Sequence, residues 1–336
     1  MKIYRKICLA FGLLLTAIAS GQEKRMAVVE TSTCYMRLQP DYESALETQE
    51  LMGTVVEIVN KKGYWREIVS PQPYKAWTTE KTLVEMTAGQ IEEYQKAEKY
   101  IFTAPYGHIY TEPDKNEAKI CDLVGGDVLR TVQKRPGKLS KRGKWVEVML
   151  PSGKTGWTCK DSVRLLGERI SIRKGDSSEG LLSQSQIEGA IAEAMSLRGV
   201  PYLWGGMSSK GVDCSGLVRI SFLMNDILLP RNASQQVFCG KEVEVSRPDI
   251  KGRTEAQVKE NYNSKTALEA IGQLKRGDLV FFGNTETGRI THVGIYLGDG
   301  EIIHASHMVR VNSLIPETEN YYENAHRLIK ACRLLY

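Results

Sequence analysis

The chain has 336 residues, 42% of them apolar and 25% charged, with a formal net charge of +5. This is enough apolar material for two or three domains, each with a core of its own. No stretch approaches the twenty or so apolar residues of a membrane span, and neither Cys-x-x-Cys nor His-Glu-x-x-His occurs, so neither a stable membrane insertion nor a metal site is expected.

Met1-Lys2-Ile3-Tyr4-Arg5-Lys6 is basic, and Ile7 to Ile18 is apolar with small residues at Ala17, Ala19, Ser20 and Gly21. Residues 1–21 therefore read as a secretory signal peptide, and the mature protein is expected to be exported, periplasmic or extracellular. Cys8 opens the apolar run instead of following it, which argues against a lipid-anchored terminus. Cys34, Cys121, Cys159, Cys214, Cys239 and Cys332 remain beyond the leader. Their wide, irregular spacing predicts mostly free, buried thiols, not a disulfide framework.

Two repeats follow, over 27–87 and 101–167. Gly63-Tyr64-Trp65-Arg66-Glu67-Ile68 aligns with Gly143-Lys144-Trp145-Val146-Glu147-Val148, and a second Trp-Thr lies twelve residues on, at Trp77-Thr78 and Trp157-Thr158. Leu51-Met52-Gly53 matches Leu123-Val124-Gly125. Short alternating runs bounded by turn residues predict small all-β units, with the tryptophans read as core before ligand platforms. Residues 88–100 predict a connecting helix with an Ile91/Tyr94/Gln95/Glu98 face. The basic stretch Lys134 to Arg142 reads as a solvated loop, with contact to an anionic polymer as the alternative. A polar linker spans 168–184.

A helix over about 185–198 leads into the part of the chain that carries chemistry. Tyr202-Leu203-Trp204-Gly205-Gly206 precedes Asp213-Cys214-Ser215-Gly216, where a glycine-rich turn hands over to an apolar helix. A cysteine there feels unpaired N–H groups and the positive end of the helix dipole, so its thiol pKa is expected to fall. His292 and His304 follow twelve residues apart, on either side of Gly298-Asp299-Gly300. A three-residue hairpin loop, or an equivalent bulge, brings the two imidazoles to one face; a two-residue loop alone separates them. Thiol, base and polar orienter in that order form a set for nucleophilic acyl transfer.

These five motifs, with Gly277-Asp278-Leu279-Val280-Phe281-Phe282, His292-Val293-Gly294-Ile295-Tyr296 and Ile303-His304-Ala305 completing them, resemble those of NlpC-type cell-wall cysteine peptidases. The repeats are similar to bacterial SH3-type barrels. The resemblance implies an α+β protein: a papain-like NlpC-type domain over 185–336, preceded by two small all-β SH3-like barrels. It implies a catalytic set of Cys214, His292 and His304, Tyr202 near the oxyanion, and substrate contacts from Trp204, Asp213, Ser215 and Ser234. Asp213 is also read as a helix cap.

The layout is similar to that of gamma-D-glutamyl-L-diamino acid endopeptidases of the dipeptidyl-peptidase VI type. There an acid and a tyrosine of the first barrel hold a free amine; Tyr74, with Glu43 or Glu47, stands nearest the expected place. The implied partners are peptidoglycan-derived peptides, with wall-polymer contact through the barrels; no cofactor and no nucleic acid are called for. An endopeptidase on intact wall, an acyltransferase on the same core and a non-catalytic wall-binding protein are the alternatives. Residues 239–272 read as a surface insertion of some helix, without a function.

Overall fold

A computed structural model describes residues 24–71, 73–132, 143–173, 182–246 and 254–334. The leader, the basic stretch 134–142, residues 174–181 of the linker and residues 247–253 of the insertion lie outside them.

The two repeats fold as two seven-stranded antiparallel sheets, the first from Arg25–Val29 to Leu83–Met86 and the second from Lys99–Phe102 to Val163–Leu165. In both, the strands lie in the order third, second, sixth, fifth, fourth, first, seventh. The twelve-residue interval between tryptophans has a register cause: Glu67 pairs with Trp77 across one hairpin, and Glu147 pairs with Trp157 across its counterpart. Alternate residues such as Ala27, Val29, Val56 and Ile58 turn inward to form the first core, as period-two patterning requires. Trp65 and Trp77 are buried, while Trp145 and Trp157 are half-buried.

Helix α1 (Ala88–Lys96) joins the sheets and starts in a Thr87/Gln90 capping box. It buries Ile91 and Tyr94 against Val28. The repeated Leu-Met-Gly turn does more than close a hairpin: Met52 enters the core of the second sheet beside Phe102 and Leu129, and Leu51 enters the core of the C-terminal part. Met52→Ala is expected to cost about 2–5 kcal/mol, because it leaves a void in a core that belongs to the neighbouring unit. Urea unfolding should show the loss, with the two sheets melting less cooperatively than in the parent chain.

The C-terminal part holds helices α2 (Gln184–Ser196) and α3 (Cys214–Leu223) on one face of a six-stranded antiparallel sheet. Its strands run in the order Lys241–Val243, Leu328–Arg333, Leu279–Gly283, Ile290–Gly298, Glu301–Ser306 and Met308–Ser313. After the short helix α4 (Ala233–Gln236), the insertion departs from its reading as surface. Val243 adds an edge strand, and helices α5 (Glu255–Glu260) and α6 (Ser264–Ile271) follow. Tyr262, Ala267, Ala270 and Ile271 cover the second sheet face over Val280, Phe282 and Tyr296. Without that cover these apolar residues would face water.

Candidate active site

Helix α3 begins at Cys214, and Asp213 caps it, accepting a hydrogen bond of 2.7 Å from the Gly216 N–H. The thiol is 8% exposed and hydrogen-bonds the backbone of Val293 and Ser215, so it abuts the strand that carries His292. Its pKa does not fall as the helix start predicts. Burial, followed by the Asp213 carboxylate, pushes it up to about 11 against the lowering effect of those two backbone bonds. Desolvation of a thiolate outweighs a helix dipole here.

The hairpin resolves the loop question through a bulge. Gly298 pairs with Glu301 across a two-residue turn with φ of 51° at Asp299 and 80° at Gly300, as a primed turn requires. The register then slips between Tyr296 and Gly298, leaving Leu297 as the extra residue, so Ile295 faces Ile303. The slip returns His292 and His304 to one face, with His292 Nε2 and His304 Nδ1 2.7 Å apart.

The protons in this pair can be placed from its far end. Asn312 Nδ2 donates to the Asn320 carbonyl, at 2.6 Å, which leaves Oδ1 facing His304 Nε2 at 2.9 Å. An amide oxygen only accepts, so His304 carries its proton on Nε2 and presents a bare Nδ1. That nitrogen accepts from His292 Nε2–H, and the remaining lone pair of His292 is on Nδ1. Tyr322 packs edge-on against His304 at 4.6 Å and beside His292 at 5.9 Å, closing the apolar side of the pair.

Both imidazoles are held neutral. Burial, then the neighbouring His304, lowers His292 to about 3; burial lowers His304, which is fully buried, to about 4 although its Asn312 bond acts the other way. In the unfolded chain each takes a proton near the ordinary histidine value, so stability is intact above about pH 6.5 and falls as pH drops toward 4. For His304 the loss is up to about 3 kcal/mol. Urea midpoints from pH 7 to 4 should decline in the parent protein and decline less in His304→Gln.

Asp213 does more than cap. Its carboxylate receives a bidentate Arg231 guanidinium at 3.0 and 2.6 Å, the Gly205 N–H at 3.0 Å and the Ser215 hydroxyl at 3.2 Å. Arg231, 1% exposed, also donates to Ser215 Oγ at 2.9 Å and to Thr48 Oγ1 at 2.7 Å. Thr48 belongs to the edge strand of the first sheet, so Arg231 wires that sheet to Asp213, the residue before Cys214. The same strand reaches the glycine block: Gln49 accepts from Met207 N–H at 2.9 Å, and a Cβ on Gly205, at φ 75°, would lie 3.0 Å from the Glu47 backbone.

Tyr202 adjoins Cys214, Cys214 meets the backbone of the strand that carries His292, and His292 meets His304. Tyr202 is half-buried, and burial followed by the neighbouring Cys214 raises its pKa to about 12, while Trp204 is 66% exposed. Asp213 and Ser215 are buried with their polar atoms engaged inside the protein, and Ser234 is exposed on α4. The Tyr74 hydroxyl donates to the Glu47 carboxylate at 2.7 Å, near Arg231 and Asp213, while Glu43 is exposed. Among the remaining histidines, His108 lies in an aromatic row with Tyr106 and Tyr110, His307 is exposed in the turn after His304, and His326 is buried beside Tyr262. No group of potential metal ligands is found among the described residues. No helix among them is long and apolar enough to cross a membrane.

Sequence reasoning passes over Asn312 and Tyr322, and it takes Arg231 only as the start of the Arg-x-x-Ser-x-Gln segment that supplies Ser234, with no role of its own. Asn312 was the most accessible of these, since Ser306 pairs with Met308 and His304 with Arg310, placing 312 diagonally from 304 on the same face.

The NlpC/P60 family profile matches residues 199–329. Murein DD-endopeptidase MepS/Murein LD-carboxypeptidase of Escherichia coli is 30% identical over 168 residues, which is 48% of this chain and 74% of that protein. The chain belongs to the NlpC/P60 family. It is a cysteine peptidase of that family, and its similarity to some relatives extends well beyond the catalytic domain. Gamma-D-glutamyl-L-lysine dipeptidyl-peptidase of Bacillus cereus is 27% identical over 83% of this chain and 73% of the relative. Dipeptidyl-peptidase 6 of Lysinibacillus sphaericus is 24% identical over 92% and 99%. The crystal structure of an NlpC/P60 family protein from Bacillus cereus superposes with a TM-score of 0.68 at 22% identity, covering 93% of this chain and all of the other, so the fold is shared beyond the catalytic domain.

Proposed function

We propose that the enzyme hydrolyses the γ-D-glutamyl–L-diamino acid bond of peptidoglycan-derived peptides that carry a free N-terminal L-alanine, outside the cytoplasm. His292 Nδ1 takes the proton from Cys214 Sγ as sulfur attacks the glutamyl γ-carbonyl. The Cys214 N–H at the helix start receives the developing oxyanion, with Tyr202 beside it. The imidazolium then protonates the departing amine, leaving a thioester on Cys214. Water, deprotonated by His292, releases L-Ala-γ-D-Glu and restores the thiol. His304 and Asn312 hold His292 in the tautomer this sequence needs.

The observation that carries the substrate reading is the Glu47–Tyr74 pair. It brings a carboxylate from the first sheet to the Gly205 loop, where a peptide ammonium would otherwise lose its hydration uncompensated. In this reading the first sheet shortens the cleft and selects small peptides. Two relatives that resemble the chain over most of its length are named as dipeptidyl-peptidases, which agrees with such a cleft. Mass spectrometry of the products from L-Ala-γ-D-Glu-diaminopimelate tests it. Release of the dipeptide L-Ala-γ-D-Glu is expected; cleavage at another bond, or of intact wall in preference, would overturn it in favour of a wall endopeptidase.

A further inference from the structure

A second polar centre lies where both N-terminal sheets meet the peptidase domain, away from Cys214. A partly enclosed cavity of about 50 Å³ there is lined by Leu51 and Thr54 from the first sheet, Val128 from the second, Arg219 and Leu223 from α3, and Arg169 from the connection between them. That volume admits a few waters or one small tetrahedral anion.

The charges around it do not balance. Arg219 is matched by Glu50 at 3.2 Å, and Asp226 is occupied by Arg164 in a bidentate pair at 2.8 and 2.9 Å. Glu30 accepts from the backbone and hydroxyl of Ser152. Arg169, Arg130 and Lys99 are then without a carboxylate partner among the described residues. Lys99 Nζ and the Arg130 guanidinium both pack on the Tyr94 ring, at 5.1 and 5.5 Å, and Lys99 otherwise binds only the Gln95 and Ala97 carbonyls. The Nε atoms of Arg130 and Arg169 are buried with no hydrogen-bond partner. Burial lowers the pKa of Lys99, as do Arg130 and Arg169, which shows how closely the three cations are held. Arg130 donates from its outer nitrogen to the Leu150 carbonyl at 3.3 Å, so Arg169, which lines the cavity together with the Arg219–Glu50 pair, is the one whose unmatched donor is costly there unless something accepts from it.

We propose that this junction binds one phosphate-type oxyanion, held by the Arg169 fork and favoured by the excess charge of Lys99 and Arg130. A guanidinium offers paired donors to a tetrahedral oxyanion, which a lone ammonium does not. Because the walls come from three units, occupancy would also tie them together.

The test uses the full chain with inorganic phosphate, against chloride at equal ionic strength. Titration calorimetry should show saturable binding of one phosphate, and the melting temperature should rise with phosphate and plateau. Arg169→Gln should weaken binding about tenfold or more. Should that variant not fold, Arg169→Lys keeps the charge without the fork and must still weaken phosphate several-fold. Affinity unchanged in whichever variant folds, or a melting response to phosphate no different from that to chloride, overturns the proposal. Acetate displacing phosphate at equal concentration would assign the cavity to a carboxylate and overturn it equally.

Discussion

Cys214→Ala is expected to reduce hydrolysis by about 10⁴-fold or more while leaving the fold in place. The thiol is small, hydrogen-bonds only to backbone, and sits at the first turn of a helix whose capping carboxylate belongs to Asp213, so alanine removes the nucleophile without uncapping α3. Circular dichroism and the urea midpoint should match the parent within about 1–2 kcal/mol. His292→Ala should be nearly as damaging to turnover, because it removes the lone pair proposed to take the proton. His304→Ala should retain measurable activity, since it removes the orienter and leaves the base. Similar rates in all three variants would remove the triad.

The second large effect concerns the amine end of the substrate. Acetylating the L-alanine of L-Ala-γ-D-Glu-diaminopimelate removes the charge that Glu47 would meet and adds bulk where the first sheet is proposed to shorten the cleft. kcat/KM should fall by about 10²–10³-fold, the usual range for losing one partner of a buried charged hydrogen bond. Glu47→Gln should lower kcat/KM on the free peptide by a similar factor and barely affect the acetylated one. Tyr74→Phe should have the same sign and a smaller size, since it deletes only the hydroxyl that fixes the carboxylate. Equal rates on free and acetylated peptides would leave the first sheet with no part in recognition.

Much of this site is legible in the sequence because its parts are local. A glycine turn before an apolar helix identifies Cys214, and a Gly-Asp-Gly hairpin restricts how His292 and His304 can meet. Which of the two registers holds depends on the bulge at Leu297, and nothing in the local sequence distinguishes it from a plain two-residue turn. The repeat predicts two like units, and their strand orders are the same. That the Leu51-Met52 turn would anchor one unit in the next is not readable, because an exposed hairpin turn and an interface plug have the same local pattern. The thiol pKa was misjudged for a related reason: the helix start is visible in the sequence, whereas the burial that overrides it is a property of the assembled core. Residues 239–272 were underestimated although Ala267, Ala270 and Ile271 stand at helical spacing, a signal of a covered face that their charged neighbours masked.

The central claim, that Cys214 carries the acyl group, is tested most directly by trapping that group. Rapid acid quench of the enzyme with L-Ala-γ-D-Glu-diaminopimelate, followed by peptide mapping, should find the L-Ala-γ-D-Glu acyl group as a thioester on the peptide containing Cys214, and on no other cysteine. Turnover with no adduct at any quench time, or an adduct on a different residue, would contradict the account.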